Sequence, residues 1–219
     1  MNVTIFTGAG VSAESGVPTF RDADGLWKEF DPNIVSSVGG WEENLQMFME
    51  FWDSAKGYLE SQEFKPNKAH QIIAEWEQKC LSQGGKFSLI TTNVDNLHEV
   101  AGSSDPIKIH GDIMSRGREL EYEIDGQPFT WHMPDVVLFG DMKKRQEDMW
   151  RAVREADLFV VIGSSLSIGG DSAIIYNAKD QGAKTVEINP NPTGHPAFDM
   201  VISKPATCGV TELYTLIAA

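Results

Sequence analysis

Short apolar runs that stop at glycine recur along this chain, and they constrain its fold more than any other feature. The run 3–7 is followed by Gly8-Ala9-Gly10, and the run 158–162 by Gly163-Ser164-Ser165. Runs so short and so uniformly apolar predict strands covered on both faces, as in a parallel sheet packed between helices. The stretches 87–91, 107–109 and 184–188 read as further strands, and 136–138 as one more. Helical spacing lies between them. Leu45, Phe48, Met49, Trp52 and Ala55 mark a helix over 42–59. Ala69, Ile72, Ile73 and Trp76 mark another over 68–82, with Asn67 as its N-cap and Gly84-Gly85 as its stop. Shorter helices are expected from Val11 and Asn93, over 142–155 and 171–181, and from about Val210 to the C-terminal end. Strand and helix alternate throughout, which predicts an α/β chain: a doubly wound, Rossmann-like parallel sheet. With 219 residues, 41% of them apolar, one domain over 1–219 can enclose its own core.

One stretch breaks the alternation. Over 119–132 apolar and polar residues alternate around Asp125-Gly126, a two-residue hairpin signal. Such a turn sets Tyr122 opposite Phe129 and Leu120 opposite Trp131, on one apolar face. The expected organisation is therefore a main sheet domain with a small inserted lobe: a helical insertion over 28–85 and a β-hairpin over 114–132.

Charge and cysteine content narrow the functions. Thirty-two acidic residues against 18 basic ones leave a net charge of −14. That disfavours nucleic acid and anionic membranes as partners and favours a Lys-rich polypeptide. The two cysteines, Cys80 and Cys208, support neither a disulfide framework nor a four-cysteine zinc site, and no metal is expected. With no basic-then-apolar start and no long apolar stretch, the expected setting is the cytoplasm.

Gly8-Ala9-Gly10-Val11-Ser12-Ala13 satisfies G-x-G-x-x-G/A between a strand and a helix, a place where backbone amides can approach a pyrophosphate. A bare strand-to-helix turn would use the same glycines. The continuation is unlike that of a hydride-transfer enzyme, because Gly16-Val17-Pro18 stops the helix and Thr19-Phe20-Arg21 opens a loop. Arg21 can pair with a phosphate or with a surface carboxylate.

The whole segment from Gly8 to Arg21, continued by Asp24-Gly25-Leu26-Trp27, resembles the signature of the sirtuins, NAD-dependent protein deacylases, and most closely the bacterial ones. Thr91-Thr92-Asn93-Val94-Asp95-Asn96-Leu97-His98 resembles the family's T-Q-N-[IV]-D-x-L-H. His110-Gly111 resembles its catalytic His-Gly, and 134–140 its P-x-V-V-x-F-G. Gly163-Ser164-Ser165 resembles G-T-S, and Glu187-Ile188-Asn189 its late E-[IL]-N.

The resemblance implies that an acyl-lysine carbonyl oxygen attacks C1′ of the nicotinamide ribose of NAD, and nicotinamide leaves. His110 then deprotonates a ribose hydroxyl, and free lysine and an O-acyl-ADP-ribose result. Histidine suits that step near neutral pH. The remaining histidines, His70, His98, His132 and His195, read as structural. By the same resemblance NAD is held by Gly8, Ala9, Gly10, Thr19, Phe20, Arg21, Trp27, Thr92, Asn93, Val94, Asp95, Gly163, Ser164, Ser165, Asn189 and Cys208. Within that set Asn93 and Asp95 take the carboxamide, or cap a helix. Phe20 shields the ribose, Asn189 takes the adenosine ribose, and Cys208 is an adenine contact or a core cysteine. Val136, Val137, Leu138, Phe139 and Gly140 resemble the strand that pairs with an acylated peptide.

This chain departs from the family in several places. The zinc-ribbon cysteines are missing, and the hairpin, with its aromatic face, stands where they should be. Thr92 replaces a glutamine. Trp52 and Ala55 stand where some bacterial members carry the Tyr and Arg that select succinyl-lysine, so a neutral acyl group is expected. Gly169-Gly170 replaces a stiffer stretch on the far side of the peptide groove. The reading is a lysine deacylase. The alternatives are a hydrolase or ADP-ribosyltransferase on the same fold, suggested by Thr92 and the missing zinc lobe, and a nucleotide-binding module without turnover.

Overall fold

The computed structural model describes residues 1–18, 30–124, 126–166 and 172–218. Strand β1 (Val3–Thr7) leads into a one-turn helix, α1 (Gly10–Ala13). Helices α2 (Pro32–Val35), α3 (Gly40–Glu43), α4 (Leu45–Ser61) and α5 (Lys68–Ser82) follow. Next come β2 (Phe87–Thr91), α6 (Leu97–Ala101) and β3 (Ile107–Lys108), then the paired strands β4 (Gly111–Ile124) and β5 (Gln127–Val136). The chain closes with α7 (Gln146–Arg154), β6 (Leu158–Ile162), α8 (Ser172–Asp180), β7 (Lys184–Ile188), β8 (Met200–Ile202) and α9 (Ala206–Ala218).

Six strands form a parallel sheet in the order β3-β2-β1-β6-β7-β8. Counted within the sheet this is 3-2-1-4-5-6, the doubly wound order whose direction reverses between its first and fourth strands. The reversal lies between β1 and β6, and both strands are buried along their whole length. One face of the sheet is covered by α5 and α9, with Ile73, Trp76, Val210 and Leu213 against Ile5, Val160 and Ile188. The other face is covered by α7 and α8, with Met149, Val153, Ile174 and Ile175 against Phe6, Phe159 and Val161.

A third core builds the small lobe. Phe48, Phe51, Trp52, Ala55 and Leu59 of α4 pack on Ile113, Trp131, Met133 and Val136 of the hairpin. Its register pairs Leu120 with Trp131 and Tyr122 with Phe129, as the alternation predicts. The Trp131 ring meets Phe48 edge-on at 5.9 Å, and its indole Nε1–H donates to Asp53 Oδ1 at 3.1 Å. Among the described residues no group of three or more His, Cys, Asp or Glu could hold a metal ion. Within the stretch 28–85, α4 belongs to this lobe, while α5 packs on the sheet.

Several elements differ from the periodicity reading. The helix expected over 42–59 is two helices, because Asn44 is extended and caps α4, accepting from the Met47 amide at 3.0 Å. The helix expected from Met142 starts at Gln146, since Arg145 adopts a left-handed φ of 48°. Lys144 and Arg145, within the span expected to be helical, instead reach across elements. Lys144 pairs with Asp135, and Arg145 is bidentate to Asp105. The helix expected from Asn93 begins at Leu97. The last helix begins at Ala206, four residues early, and Glu14 accepts from the Thr207 amide in its first turn. Residues 137 and 138 lie past the end of β5, and the short edge strand β8 carries too few residues for its period to show.

Candidate functional site

The site grows from the crevice at the sheet's reversal point. The strand-end turns of β1 and β6 touch there. Gly10 N–H donates to the Gly163 carbonyl at 2.9 Å. A Cβ on Gly8 would lie 2.8 Å from Ser164 Cα, and one on Gly10 2.7 Å from Gly163 Cα. These glycines are therefore required by backbone-to-backbone approach between the turns, whatever they bind. Gly163 itself has φ +60°. Ser164 is buried and its hydroxyl accepts from the Leu166 amide, while Ser165 lies exposed at the rim. Asn189, past the end of β7, donates to the Ser164 carbonyl at 3.1 Å and accepts from the Asn191 amide at 3.0 Å, bracing two strand-end loops.

Next to this crevice a cleft between the two lobes has one polar wall and one apolar wall. Ala9, Ser12, Asn93, Val94 and Asp95 face Val17, Pro18, Phe51, Trp52, Ala55, Leu59 and Ile113. The polar wall is a closed hydrogen-bond relay. Asn67 N–H donates to His70 Nδ1 at 3.3 Å, which leaves the proton of the neutral ring on Nε2. Nε2 meets Ser12 Oγ at 3.4 Å, Asn93 Nδ2 donates to the same oxygen at 3.2 Å, and Ser12 donates to Asp95 Oδ2 at 2.9 Å. Asp95 Oδ1 accepts from the Leu97 amide at 3.0 Å. Asp95 thus satisfies the first amide of α6 from just outside its N-cap position, Asn96, and Asn93 does not.

The electrostatics follow from burial. Desolvation holds the His70 ring down to about 4, and pushes His98 well below its usual value, so both are neutral near pH 7. Desolvation pushes the Asp95 carboxyl up, against the Leu97 amide and the Ser12 hydroxyl, which favour its charged form. His98 stacks edge-on to His70 at 4.8 Å and reaches Thr7 Oγ1 at 3.0 Å, while its Nδ1 has no hydrogen-bond partner among the described residues. Ser12, His70 and His98 form the buried backing of the cleft. Ser12 was visible inside the glycine motif. The histidines carried a weaker signal, as polar residues set among apolar helix positions.

His110 is brought to the same place by backbone bonds on both sides. Ile109 N–H donates to Thr91 O and Ile113 N–H to Val94 O, so the His110 turn is sewn to both flanks of the segment bearing Asn93 and Asp95. The His110 carbonyl accepts from Val137 N–H at 2.9 Å. Gly111 has φ +87°, and a Cβ there would lie 1.9 Å from the Asp135 carbonyl.

The remaining candidate residues divide. Thr92 turns its hydroxyl onto the Thr7 carbonyl at 3.3 Å. Trp52 and Ala55 line the apolar wall, and the Trp52 indole N–H is spent on Val35 O at 2.8 Å. Cys208 is exposed, on a groove with Lys68, Thr207 and Thr211, and the buried cysteine is Cys80. Phe139 is 57% exposed. The amides of Val137, Leu138 and Phe139 donate to His110 O, Asp141 Oδ2 and Ser36 O, so strand addition along 136–140 must use other groups, such as those of Gly140. Thr19, Phe20, Arg21, Trp27 and Gly169-Gly170 lie outside the described residues.

Comparison with known proteins places the chain in a family. The sequence model of the Sir2 family matches residues 8–119, and the chain belongs to that family. It is 37% identical to an NAD-dependent protein deacetylase of Oceanobacillus iheyensis, over 91% of this chain and 88% of that one. It is 36% identical to an NAD-dependent protein deacylase of Salmonella typhimurium, over 87% of this chain and 74% of that one. A Sir2 homologue solved as an NAD complex superposes with a TM-score of 0.80 at 29% identity, covering 99% of this chain and 89% of that one.

Proposed function

We propose that this chain is an NAD-dependent protein lysine deacylase that releases nicotinamide, O-acyl-ADP-ribose and free lysine. The observation that carries this reading is the relay ending on Asn93 and Asp95, beside the turn that bears His110. A primary carboxamide offers two N–H donors and one acceptor. The Asp95 carboxylate is an acceptor and the Asn93 amide is both donor and acceptor, so this wall suits a nicotinamide carboxamide. Gly8, Ala9, Gly10, Gly163, Ser164 and Ser165 would hold the middle of NAD. Asn189 and Cys208 would hold its adenosine end, and Thr92 and Val94 would flank the nicotinamide ribose. Thr19, Phe20, Arg21 and Trp27 complete the set by resemblance. NAD supplies an electrophilic ribose carbon with a leaving group already attached.

The chain's own residues do the rest. Ser12 and neutral His70 fix the orientation of Asp95. His110 accepts the proton of a ribose hydroxyl on its imidazole, at a turn fixed by the three backbone bonds described above. Phe51, Trp52, Ala55 and Ile113 exclude water and present no cation, which favours a small neutral acyl group over a carboxylated one. The peptide lies along 136–140, beside Phe139 and Gly140. No helix among the described residues is long and apolar enough to cross a membrane. Two free cysteines suit a cytoplasmic setting, and the charge of −14 suits a basic protein substrate over nucleic acid or an anionic membrane surface.

The test is mass spectrometry of a reaction holding NAD and an acetyl-lysine peptide. Deacetylated peptide and acetyl-ADP-ribose should form in equal amounts. Consumption of NAD with the peptide left intact would overturn the reading.

A further inference from the structure

Lys108 stands two residues before His110, on the edge strand β3, and no step above uses it. Its side chain is 11% exposed. The ammonium lies 2.7 Å from Glu99 Oε1 on α6 and 3.0 Å from Asp112 Oδ2 on β4. The other oxygen of Asp112 accepts from Met114 N–H at 2.8 Å, so that carboxylate is itself fixed. The register of β3 on β2 pairs Lys108 with Thr91, the residue after which the Asn93–Asp95 segment leaves the sheet. One largely covered cation thus joins three pieces: the strand entering the His110 turn, the strand leaving it, and the helix whose first amide Asp95 holds.

We propose that Lys108 is a positioning residue for the reaction, clamping the His110 turn to α6 and holding a positive charge beside the Asp95 carboxylate. This rests on the deacylase reading for its functional meaning, though not for its geometry. Among the described residues, the charged and titratable groups around Asp95 are His70 on α5, His98 and Glu99 on α6, and Lys108 on β3, which also pairs with Asp112. His70 and His98 are neutral. Burial opposes the ionised form of Asp95, and the Leu97 amide and Ser12 hydroxyl favour it; among the charges, Lys108 favours it and Glu99 opposes it. An ionised Asp95 is an acceptor on both oxygens, whereas a protonated one offers a donor to the carboxamide's own donors.

Two substitutions pull in opposite directions. Lys108→Met keeps an unbranched side chain one atom shorter and removes the charge, and Glu99→Gln removes the opposing charge in nearly the same volume. The first readout is the carboxyl 13C titration of Asp95, assigned by its loss in Asp95→Asn. Its midpoint should rise by about one pH unit in Lys108→Met and fall in Glu99→Gln, as expected for a unit charge at short range in a partly buried site. Lys108→Arg should restore the wild-type midpoint. The second readout is peptide-dependent nicotinamide release. The acid limb of kcat/KM for NAD should move with the Asp95 midpoint, giving about a tenfold loss near the limb in Lys108→Met and recovery at alkaline pH.

An unmoved midpoint in either variant overturns the inference, and so does a loss of activity that is uniform across pH and not rescued by arginine. If Lys108→Met does not fold, Glu99→Gln decides alone, by a fall in the midpoint or its absence. Midpoints that move as expected in the two variants, with no peptide-dependent release in the wild type, would sustain the clamp and overturn the deacylase reading.

Discussion

Trp131→Ala is the sharpest probe of how the small lobe is held. The indole is 7% exposed and lies in the core of α4 and the hairpin, edge-on to Phe48 at 5.9 Å. Truncating a buried tryptophan costs about 3–5 kcal/mol, and the edge-on contact is worth roughly 0.5–1.5 kcal/mol of that. The lost bond to Asp53 adds little, because that carboxylate is exposed and water replaces the indole N–H. A loss of about 4 kcal/mol corresponds to a fall of roughly 8–16 °C in Tm for a chain of this size. Trp131→Phe keeps a ring against Phe48 and should fall by only a few degrees. Thermal unfolding followed by far-UV circular dichroism reads both, each with and without a chelator. The aromatic packing should hold the lobe with the chelator present, so the wild-type Tm should not move. A Trp131→Ala Tm within about 3 °C of wild type, or a chelator-dependent fall in the wild type, would refute the reasoning.

Other outcomes follow from the same contacts. Gly10→Ala places a methyl 2.7 Å from Gly163 Cα, so the strand-end turns must part, and NAD affinity measured by calorimetry should fall by at least tenfold. Asn67 caps α5 and also donates to Val11 O and Ser15 Oγ, so Asn67→Ala should cost about 2 kcal/mol in a urea titration and loosen the Ser12 relay. His70 is held to about 4 when folded and returns to about 6.5 when unfolded, so protons bind the unfolded chain more readily between those values. Stability is therefore complete above about pH 6.5 and falls as pH drops toward 4, by up to about 1.4 kcal/mol per pH unit for this histidine, a slope that His70→Gln should reduce. Asp199 is held at about 2 by the Lys179 hydrogen bond and then by Thr185. Its contribution is present above about pH 4, fades as pH falls toward 2, and should vanish in Asp199→Asn.

The sheet was legible because β1 and β6 are buried along their whole length and β2 and β7 over most of theirs, so that β1, β2 and β6 show as short, mainly apolar runs. The hairpin register was legible because a two-residue turn leaves one pairing. The helix starts were less so. Asn44 breaks one helix and Arg145 delays another through backbone angles that leave no trace in the spacing of apolar residues. At the site, the glycines marked the crevice, but their reason is the contact between the β1 and β6 turns, which joins positions far apart in sequence. The His70–Ser12–Asp95 relay shares that character. Each member sits on a different element, and only burial turns three polar residues into one wall. The spent amides of 137–139 were hidden too, since their acceptors lie on His110, Asp141 and Ser36.

The most direct test of the account is nicotinamide release from NAD, measured with and without an acetyl-lysine peptide, in wild type and His110→Ala. The account predicts release that requires both the peptide and His110, with the variant falling by at least a hundredfold, the lower range for losing a general base. Equal release without the peptide, or an unchanged His110→Ala, would contradict it.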